Sequence, residues 1–152
     1  MRNSERVLNS LSEHSKVSDY KFERLYRVLF NSDMFLLAYH NIQGRQGNMT
    51  KGSDSQTIDG MSLKRIENLI DALKNETYQP KPARRTYIPK KNGKMRPLGI
   101  PSFNDKLVQE VLRMMLGAIY EGSFENTSHG FRPKRSCHTA LIQVQKNFTA
   151  AK

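Results

Sequence analysis

Basic residues that have no acidic neighbours are the first chemical feature of this sequence. The segment Lys81–Arg96 contains seven lysines and arginines and no acid in sixteen positions, where even spacing of the chain's 25 basic residues would give about three. A second acid-free group is Arg132, Lys134 and Arg135. Basic side chains without a carboxylate partner keep their attraction for phosphate, so both segments predict a polyanionic partner. Nucleic acid is favoured over an anionic membrane, because prolines and a glycine interrupt the longer segment.

The overall composition fits one small globular domain. The chain has 152 residues, a formal net charge of +11, a pI near 10.0 and 37% hydrophobic residues, which is enough for a single core. The lone cysteine, Cys137, excludes an intrachain disulfide. Although His129 and His138 lie close to it, their spacing is not that of a zinc site, so we expect no bound metal. No segment resembles a membrane span or the core of a signal peptide, so we expect no membrane partner.

The elements that would position the basic residues are mainly helices. Apolar residues at helical spacing predict an amphipathic helix over 22–30. Asn31, Ser62 and Ser102 are the predicted N-caps of three further helices, each of which carries its own apolar stripe. A last helix is predicted from about Ser136.

The longer basic segment itself predicts a β-hairpin. Residues 86–89 and 95–100 are short strand candidates, and the Asn92-Gly93 pair between them is a strong hairpin signal. Prolines in both candidate strands lack the N–H that a ladder requires. We therefore expect an edge pair and not the central pair of a sheet.

The type of turn determines which side chains face each other across the hairpin. A two-residue turn would pair Pro89 with Arg96 and would direct Lys90 to the other face. A three-residue, bulged turn through Lys94 would instead place Lys90 opposite Arg96. We predict the bulged turn, because it lets two cations bind one phosphate group together.

Two long segments resemble a known family. ARRTYIPKKNGKMRPLGIPSFNDKLVQEVLRMML (83–116) and SHGFRPKRSCHTAL (128–141) resemble the fingers region of bacterial group II intron-encoded reverse transcriptases, the intron maturases. The glycine-rich MTKGSDSQTIDG (49–60) resembles an additional upstream block of the same family. The resemblance covers residues 20–148. It implies an α+β fold, a mostly helical fingers subdomain with a small antiparallel sheet built on the hairpin.

The same resemblance suggests how the chain is organised. Residues 1–18 would be a mobile N-terminal arm, and residues 19–149 the fingers region with a palm-packing helix from about residue 136. The chain stops directly after the apolar stripe of that helix. We interpret it as a fragment from which the palm, thumb and later domains are absent.

The resemblance also assigns roles to residues of the hairpin. Lys90 and Arg96 match the positions that bind the triphosphate of the incoming nucleotide, and Pro89, Leu98 and Ile100 match those that pack against the templating base. Alternation along the strand places Arg96, Leu98 and Ile100 on one face. The remaining basic residues are expected along the nucleic-acid backbone: Arg84, Arg85, Lys91, Lys94, Arg132, Lys134 and Arg135.

The implied function is that of an RNA-directed DNA polymerase in the bacterial cytoplasm. Its partners would be template RNA, a DNA primer or target, dNTP, and the intron RNA during splicing and retrohoming. Such polymerases hold two metal ions with aspartates of the palm. No aspartate follows Asp105, and none stands beside another acid. We therefore expect no catalytic residue, no bound cofactor and no polymerisation from these residues alone, with Mg²⁺ required only by the full enzyme.

An alternative of a different class is a stand-alone basic RNA-binding module with no enzymatic parent. The helix over 136–149 separates the two interpretations. An uncovered apolar face on Leu141, Val144 and Phe148 would favour the fingers region, and a closed core would favour the module. An exposed face would also allow a homodimer.

Overall fold

The computed structural model describes residues 3–149 and has a mostly helical α+β fold, as predicted. Among these residues there are five α-helices, and two strands form a single antiparallel pair. The elements in chain order are α1 (Ser4–His14), α2 (Ser32–Gln43), α3 (Leu63–Lys74), β1 (Arg84–Pro89), β2 (Met95–Ile100), α4 (Phe103–Tyr120) and α5 (Cys137–Thr149). Three short 3₁₀ helices cover Leu25–Phe30, Ile58–Gly60 and Glu121–Ser123.

Helix α4 is the centre of the hydrophobic core. Its Phe103, Leu107 and Val111 are almost completely buried, and Met34 and Phe35 of α2 are equally inaccessible. Helix α3 adds a third buried face, made by Ile66, Leu69, Ile70 and Leu73. Because the strands contribute little more than Ile100 to this core, the hairpin extends from a helical base.

The three predicted N-caps are confirmed. The side chain of Asn31 accepts a hydrogen bond from the amide of Asp33 (3.0 Å), and Ser62 Oγ accepts one from the amide of Arg65 (3.2 Å). Ser102 Oγ accepts one from the third residue of α4 at 3.2 Å. Each cap satisfies an amide that has no partner inside its helix, which explains why these helices begin where they do.

The predicted α-helix over 22–30 is wrong in type and extent. A 3₁₀ helix covers only Leu25–Phe30, and Arg24 before it has a left-handed backbone with φ of 55°. The segment is held by tertiary contacts, because Tyr26 donates a hydrogen bond to the carbonyl of Leu73 (2.8 Å) and Leu29 is buried. The apolar spacing therefore correctly indicated that Leu29 is buried, but not the type of helix.

The N-terminal region contains a helix that lies on the core. Helix α1 packs against α4, and its Leu8 contacts the buried cluster. Residues 1 and 2 of the predicted arm lie outside the described residues. The mobility of that arm and the boundary between residues 18 and 19 stay predictions.

The hairpin has a bulged three-residue turn, as predicted, but one position earlier than expected. Lys90 donates its amide to the carbonyl of Lys94 (2.8 Å) and accepts from the amide of Gly93 (3.0 Å), so the loop comprises residues 91–93. Ile88 is opposite Arg96. The predicted pairing of Lys90 with Arg96 is therefore wrong. The loop ends at Gly93, whose φ of +76° favours glycine over the lysine that our register required there.

The prolines lie where the ladder does not need an N–H. Hydrogen-bonded and non-hydrogen-bonded pairs alternate along the ladder, starting from the bonded Lys90. Ile88 is therefore a hydrogen-bonded position, and Pro89 and Pro97 are non-hydrogen-bonded positions. The strands thus tolerate both prolines without losing a ladder bond. The pairing is an isolated two-stranded ribbon among residues 3–149, in keeping with the predicted edge character.

Helix α5 exposes its apolar side. Leu141, Val144 and Phe148 are between 52% and 75% exposed, and no described residue of α5 is buried. This uncovered face is the arrangement that we expected of a fingers region. Within residues 3–149, none of the helices has the length and apolarity required to cross a bilayer.

Candidate nucleic-acid interface

We call residues 84–100 the ribbon. One face of the ribbon brings together Lys90 and Arg96, the predicted nucleotide-binding cations. Ile88 is opposite Arg96, and Lys90 lies two residues beyond Ile88, so Lys90 and Arg96 are diagonal neighbours on one face. Leu98 shares that face and is 39% exposed. We call the face that carries Lys90, Lys94, Arg96 and Leu98 the clamp face. It presents cations at the ribbon tip and an apolar side chain beside them.

The residues predicted to contact the templating base are not all on the clamp face. Leu98 is exposed there, whereas Ile100 continues the same face toward the core and is almost buried. Pro89 alternates with Ile88 and therefore projects from the opposite face. The structure thus offers Leu98 to a ligand on the clamp face and gives Ile100 a structural position at the base.

The cations of the ribbon have no acidic partners. All ion pairs among residues 3–149 lie elsewhere, so Arg85, Lys90, Lys91, Lys94 and Arg96 have no described carboxylate within ion-pair distance. Both strands are exposed over almost their whole length. Lys81, the first cation of the basic segment, pairs with Asp54 (3.5 Å), whereas the cations of the ribbon stay without a carboxylate partner among the described residues.

A buried carboxylate fixes both ends of the ribbon to the core. Asp105 accepts hydrogen bonds from Ser102 Oγ (2.6 Å), from the amide of Lys81 (3.2 Å) and from the hydroxyl of Tyr78. Burial raises the pKa of Tyr78, and the hydrogen bond and charge of Asp105 raise it further. Because Lys81 precedes β1 and Ser102 follows β2, one side chain holds the base while the tip stays free. Tyr78 is thus a structural anchor, while Tyr87 is 55% exposed on the ribbon.

The glycine-rich loop packs against the base of the ribbon. A Cβ on Gly52 would lie 2.7 Å from the carbonyl oxygen of Pro101, so only glycine allows this close approach. Arg84 Nε donates to the carbonyl of Lys51 (3.0 Å), and Lys106 Nζ donates to the carbonyl of Thr50 (2.9 Å). The loop is therefore attached to both β1 and α4.

Arg65 holds the other end of the same loop. Its guanidinium donates to Asn104 Oδ1 (2.7 Å), to the carbonyl of Gly60 (3.2 Å) and to the side chain of Gln56. It also lies 4.9 Å from the ring centre of Phe103. Burial lowers the pKa of Arg65, and the nearby Asp54 partly opposes that effect. Sequence reasoning missed this residue, because its partners come from a loop whose path cannot be read from periodicity.

The second basic group differs from the ribbon. Arg132 is only 9% exposed and pairs with Glu121 at 2.9 Å, and it also donates to the carbonyls of Glu125 and Ser128 (both 3.0 Å). Its guanidinium lies 5.1 Å from the ring centre of Phe124. Since these contacts occupy its donors, Arg132 stabilises the loop before α5, and the predicted contact with a nucleic-acid backbone does not fit this geometry.

The neighbours of Arg132 are more accessible. Arg135 donates to the carbonyl of Asn126 (2.7 Å), while Lys134 is exposed. His129 is within hydrogen-bond distance of Thr139 Oγ1 (2.9 Å) and Gln143 Oε1 (2.7 Å), so this histidine joins the loop to α5. Residues 3–149 contain no group of three side chains that could hold a metal ion.

Comparison with known proteins identifies relatives of the chain. No protein-family model matches the chain. The group II intron-encoded protein LtrA of Lactococcus lactis subsp. cremoris is 49% identical over 148 residues, which are 96% of this chain and 25% of that protein. This chain is homologous to the N-terminal region of group II intron-encoded proteins. The recognition of the family from the hairpin and GFRP segments is thereby confirmed.

Other intron proteins agree with this assignment. An uncharacterised 91 kDa protein in the cob intron of Schizosaccharomyces pombe is 48% identical over 151 residues, which are 95% of this chain and 19% of that protein. Nuclear intron maturase 1, mitochondrial, of Arabidopsis thaliana is 46% identical over 48 residues, which are 32% of this chain and 7% of that protein. The chain spans a quarter or less of the length of these three relatives.

Proposed function

We propose that residues 19–149 form the fingers region of an RNA-directed DNA polymerase encoded by a group II intron. The ribbon binds template RNA and the DNA primer, and Lys90 and Arg96 bind the triphosphate of the incoming dNTP. The observation that carries this proposal is the set of ribbon cations without carboxylate partners. Phosphoryl transfer requires such cations beside the charge that develops on the triphosphate.

The way in which the ribbon is attached to the core supports a role as a clamp on the bound nucleotide. Asp105 fixes its base, and the tip of the ribbon is exposed to solvent, so the tip can approach a bound nucleotide and withdraw again. Lys90 and Arg96 approach the triphosphate from one face. Leu98 lies on that face beside Arg96, and in this proposal it packs against the templating base.

Binding to intron RNA for splicing and retrohoming is the second part of the proposal. It is supported by the homology to intron-encoded proteins and by cations that lie outside the clamp pair. Their flexible or forked side chains suit sequence-independent contacts with backbone phosphates. These cations are Arg85, Lys91, Lys94, Lys134 and Arg135.

Primer extension would need groups beyond these 152 residues. The described residues offer no cluster of carboxylates, so their donor set does not fit the two Mg²⁺ ions that such a polymerase uses. We propose that the 152-residue chain binds nucleic acid without extending a primer. Incorporation of labelled dNTP on an RNA–DNA primer-template with Mg²⁺ by the purified chain would contradict this part of the proposal.

Fluorescence anisotropy with a labelled RNA–DNA hybrid tests the ribbon. The variant K90A/R96A should weaken binding about tenfold at low salt and should reduce the slope of log Kd against log salt. The control K21A/K146A removes the same charge from exposed positions outside the ribbon and should change the Kd less than about twofold. Equal effects of the two variants would mean that only total charge matters, and the clamp would be rejected.

A further inference from the structure

A second cluster of cations lines a cavity outside the ribbon. The cavity has a volume of about 400 Å³ and lies between the end of α2, the turn that follows it, and α4. The buried side chain of Glu110 is among its lining residues, and we call the cavity the Glu110 pocket. It is lined by Arg45, Gln46, Asn48, Lys106, Gln109 and Arg113.

Glu110 orients two guanidinium groups toward this cavity. The side chain of Glu110 is only 5% exposed, and it accepts two hydrogen bonds from Arg45 (2.9 and 3.2 Å) and two from Arg113 (2.7 and 2.9 Å). Burial by itself would raise the pKa of Glu110, but Arg113 and Arg45 outweigh that effect and lower it, so the carboxylate stays ionised. Each guanidinium has five N–H groups, and three of each remain without an acceptor among the described residues.

The pocket therefore has more donors and positive charge than the fold uses. Arg45 and Arg113 are each just over half exposed, and Lys106 adds a third cation against the single carboxylate. A buried ion pair of this kind adds little net stability compared with an apolar replacement. Recognition of an anion explains better than stability why the guanidinium groups of Arg45 and Arg113, each half exposed, are held in fixed positions. The N–H groups of a guanidinium match the geometry of phosphate oxygens.

We propose that the Glu110 pocket binds a phosphate group, and that its source is the backbone of RNA bound to the ribbon. The connection to the ribbon supports this source. Lys106 lines the pocket and donates to the carbonyl of Thr50. Arg84 of the ribbon donates to the carbonyl of the next residue, Lys51. Phosphates of one strand can thus follow the loop from ribbon to pocket. The choice of RNA rests on the proposed function, whereas the phosphate site does not.

Inorganic phosphate tests the site directly. NMR spectra of the arginine Nε–H groups of the 152-residue chain are recorded during a phosphate titration, with ionic strength held constant by sodium chloride. The signals of Arg45 and Arg113 should shift in a saturable manner. The variant Q46E/Q109E adds two carboxylates at exposed positions of the pocket without removing a partner of Glu110, and it should weaken phosphate binding at least about fivefold.

RNA binding identifies the source of the phosphate. The Kd for a labelled 12-nucleotide single-stranded RNA should rise about three- to tenfold in Q46E/Q109E. The control Q145E/N147D makes the same charge change on exposed positions of α5 and should change the Kd less than about twofold. Both variants retain the core, so an unchanged circular dichroism spectrum and Tm are expected for each.

The outcomes separate the site from the proposed function. Shifts that do not saturate, or that persist unchanged in Q46E/Q109E, overturn the phosphate site. Saturable shifts with unaltered RNA affinity support the phosphate site and overturn RNA as its source, leaving free phosphate or a nucleotide. If K90A/R96A leaves RNA affinity unchanged while the phosphate shifts remain, the proposed function fails and the phosphate site stands.

Discussion

The ribbon and the loop before α5 carry similar acid-free basic segments, but the fold uses them differently. In the ribbon, Lys90 and Arg96 project from exposed strands without a carboxylate nearby. In the loop, Arg132 is buried against Glu121 and two backbone carbonyls. An absence of acids along the sequence therefore does not mean an absence of acids in space. Lys90 and Arg96 stay unpaired because no described element beside this part of the ribbon contributes a carboxylate.

Arg132→Ala tests the difference between the two basic segments and should have the largest effect on stability. The substitution removes a largely buried guanidinium that pairs with Glu121 and donates to the carbonyl of Ser128, so we expect the free energy of unfolding to fall by about 2–4 kcal/mol. Urea denaturation followed by circular dichroism measures the change. RNA affinity at a temperature where the variant is folded should stay within about twofold. A stable variant with much weaker RNA binding would make Arg132 an interface residue after all.

Gly52→Ala tests whether the loop must lie against the ribbon base. The added Cβ would come within 2.7 Å of backbone atoms of Pro101 and Ser102, so the loop must move and we expect a loss of about 1–3 kcal/mol. The matched control is Gly44→Ala, because a Cβ there has no neighbour within 4 Å. Equal stabilities of the two variants would show that the loop is not held at Gly52.

Tyr78→Phe should weaken the anchor of the ribbon without touching its charges. Loss of the hydroxyl that donates to Asp105 is expected to reduce the free energy of unfolding by about 1–2 kcal/mol. Because the folded state raises the pKa of Tyr78 above its ordinary value of 10.0, the wild type gains stability from the protonated tyrosine below pH 10. That contribution declines as the pH rises above 10, since the unfolded chain ionises first. The variant should lack this part of the alkaline decline.

Arg96→Ala should have the smallest effect on folding. Its side chain is exposed and has no ion pair among the described residues, so we expect a change in stability of less than about 0.5 kcal/mol. Affinity for an RNA–DNA hybrid should nevertheless fall about threefold or more, and the salt slope should decrease by about one. A stability loss like that of Arg132→Ala would remove the difference between the two segments.

The features that could be read from the sequence are those set by a few adjacent residues. Asn31, Ser62 and Ser102 cap their helices through their own side chains and an amide two or three residues away. The ribbon likewise follows from alternation, prolines and a local glycine. The family was recognisable for a related reason, because the resembling segments are long and contiguous.

The features that could not be read depend on contacts between distant residues. The segment over 22–30 is a 3₁₀ helix held by the carbonyl of Leu73, which is about fifty positions away in the chain. The partners of Arg132 are backbone carbonyls whose positions only the folded loop defines. Glu110 gave one usable signal that we missed. It occurs among the apolar residues of α4, and a carboxylate on a buried helix face requires cationic partners.

The two prolines of the ribbon have a consequence for the solubility of the chain. Pro89 lies on the outer edge of β1 and Pro97 on the outer edge of β2, at positions where another residue would offer an unpaired N–H to a neighbouring molecule. Exposed strands with apolar side chains such as Ile88, Met95 and Leu98 would otherwise be templates for intermolecular β-sheet. Each proline removes one outward N–H from its edge, and mutual repulsion of the tip lysines further disfavours intermolecular pairing of the ribbon.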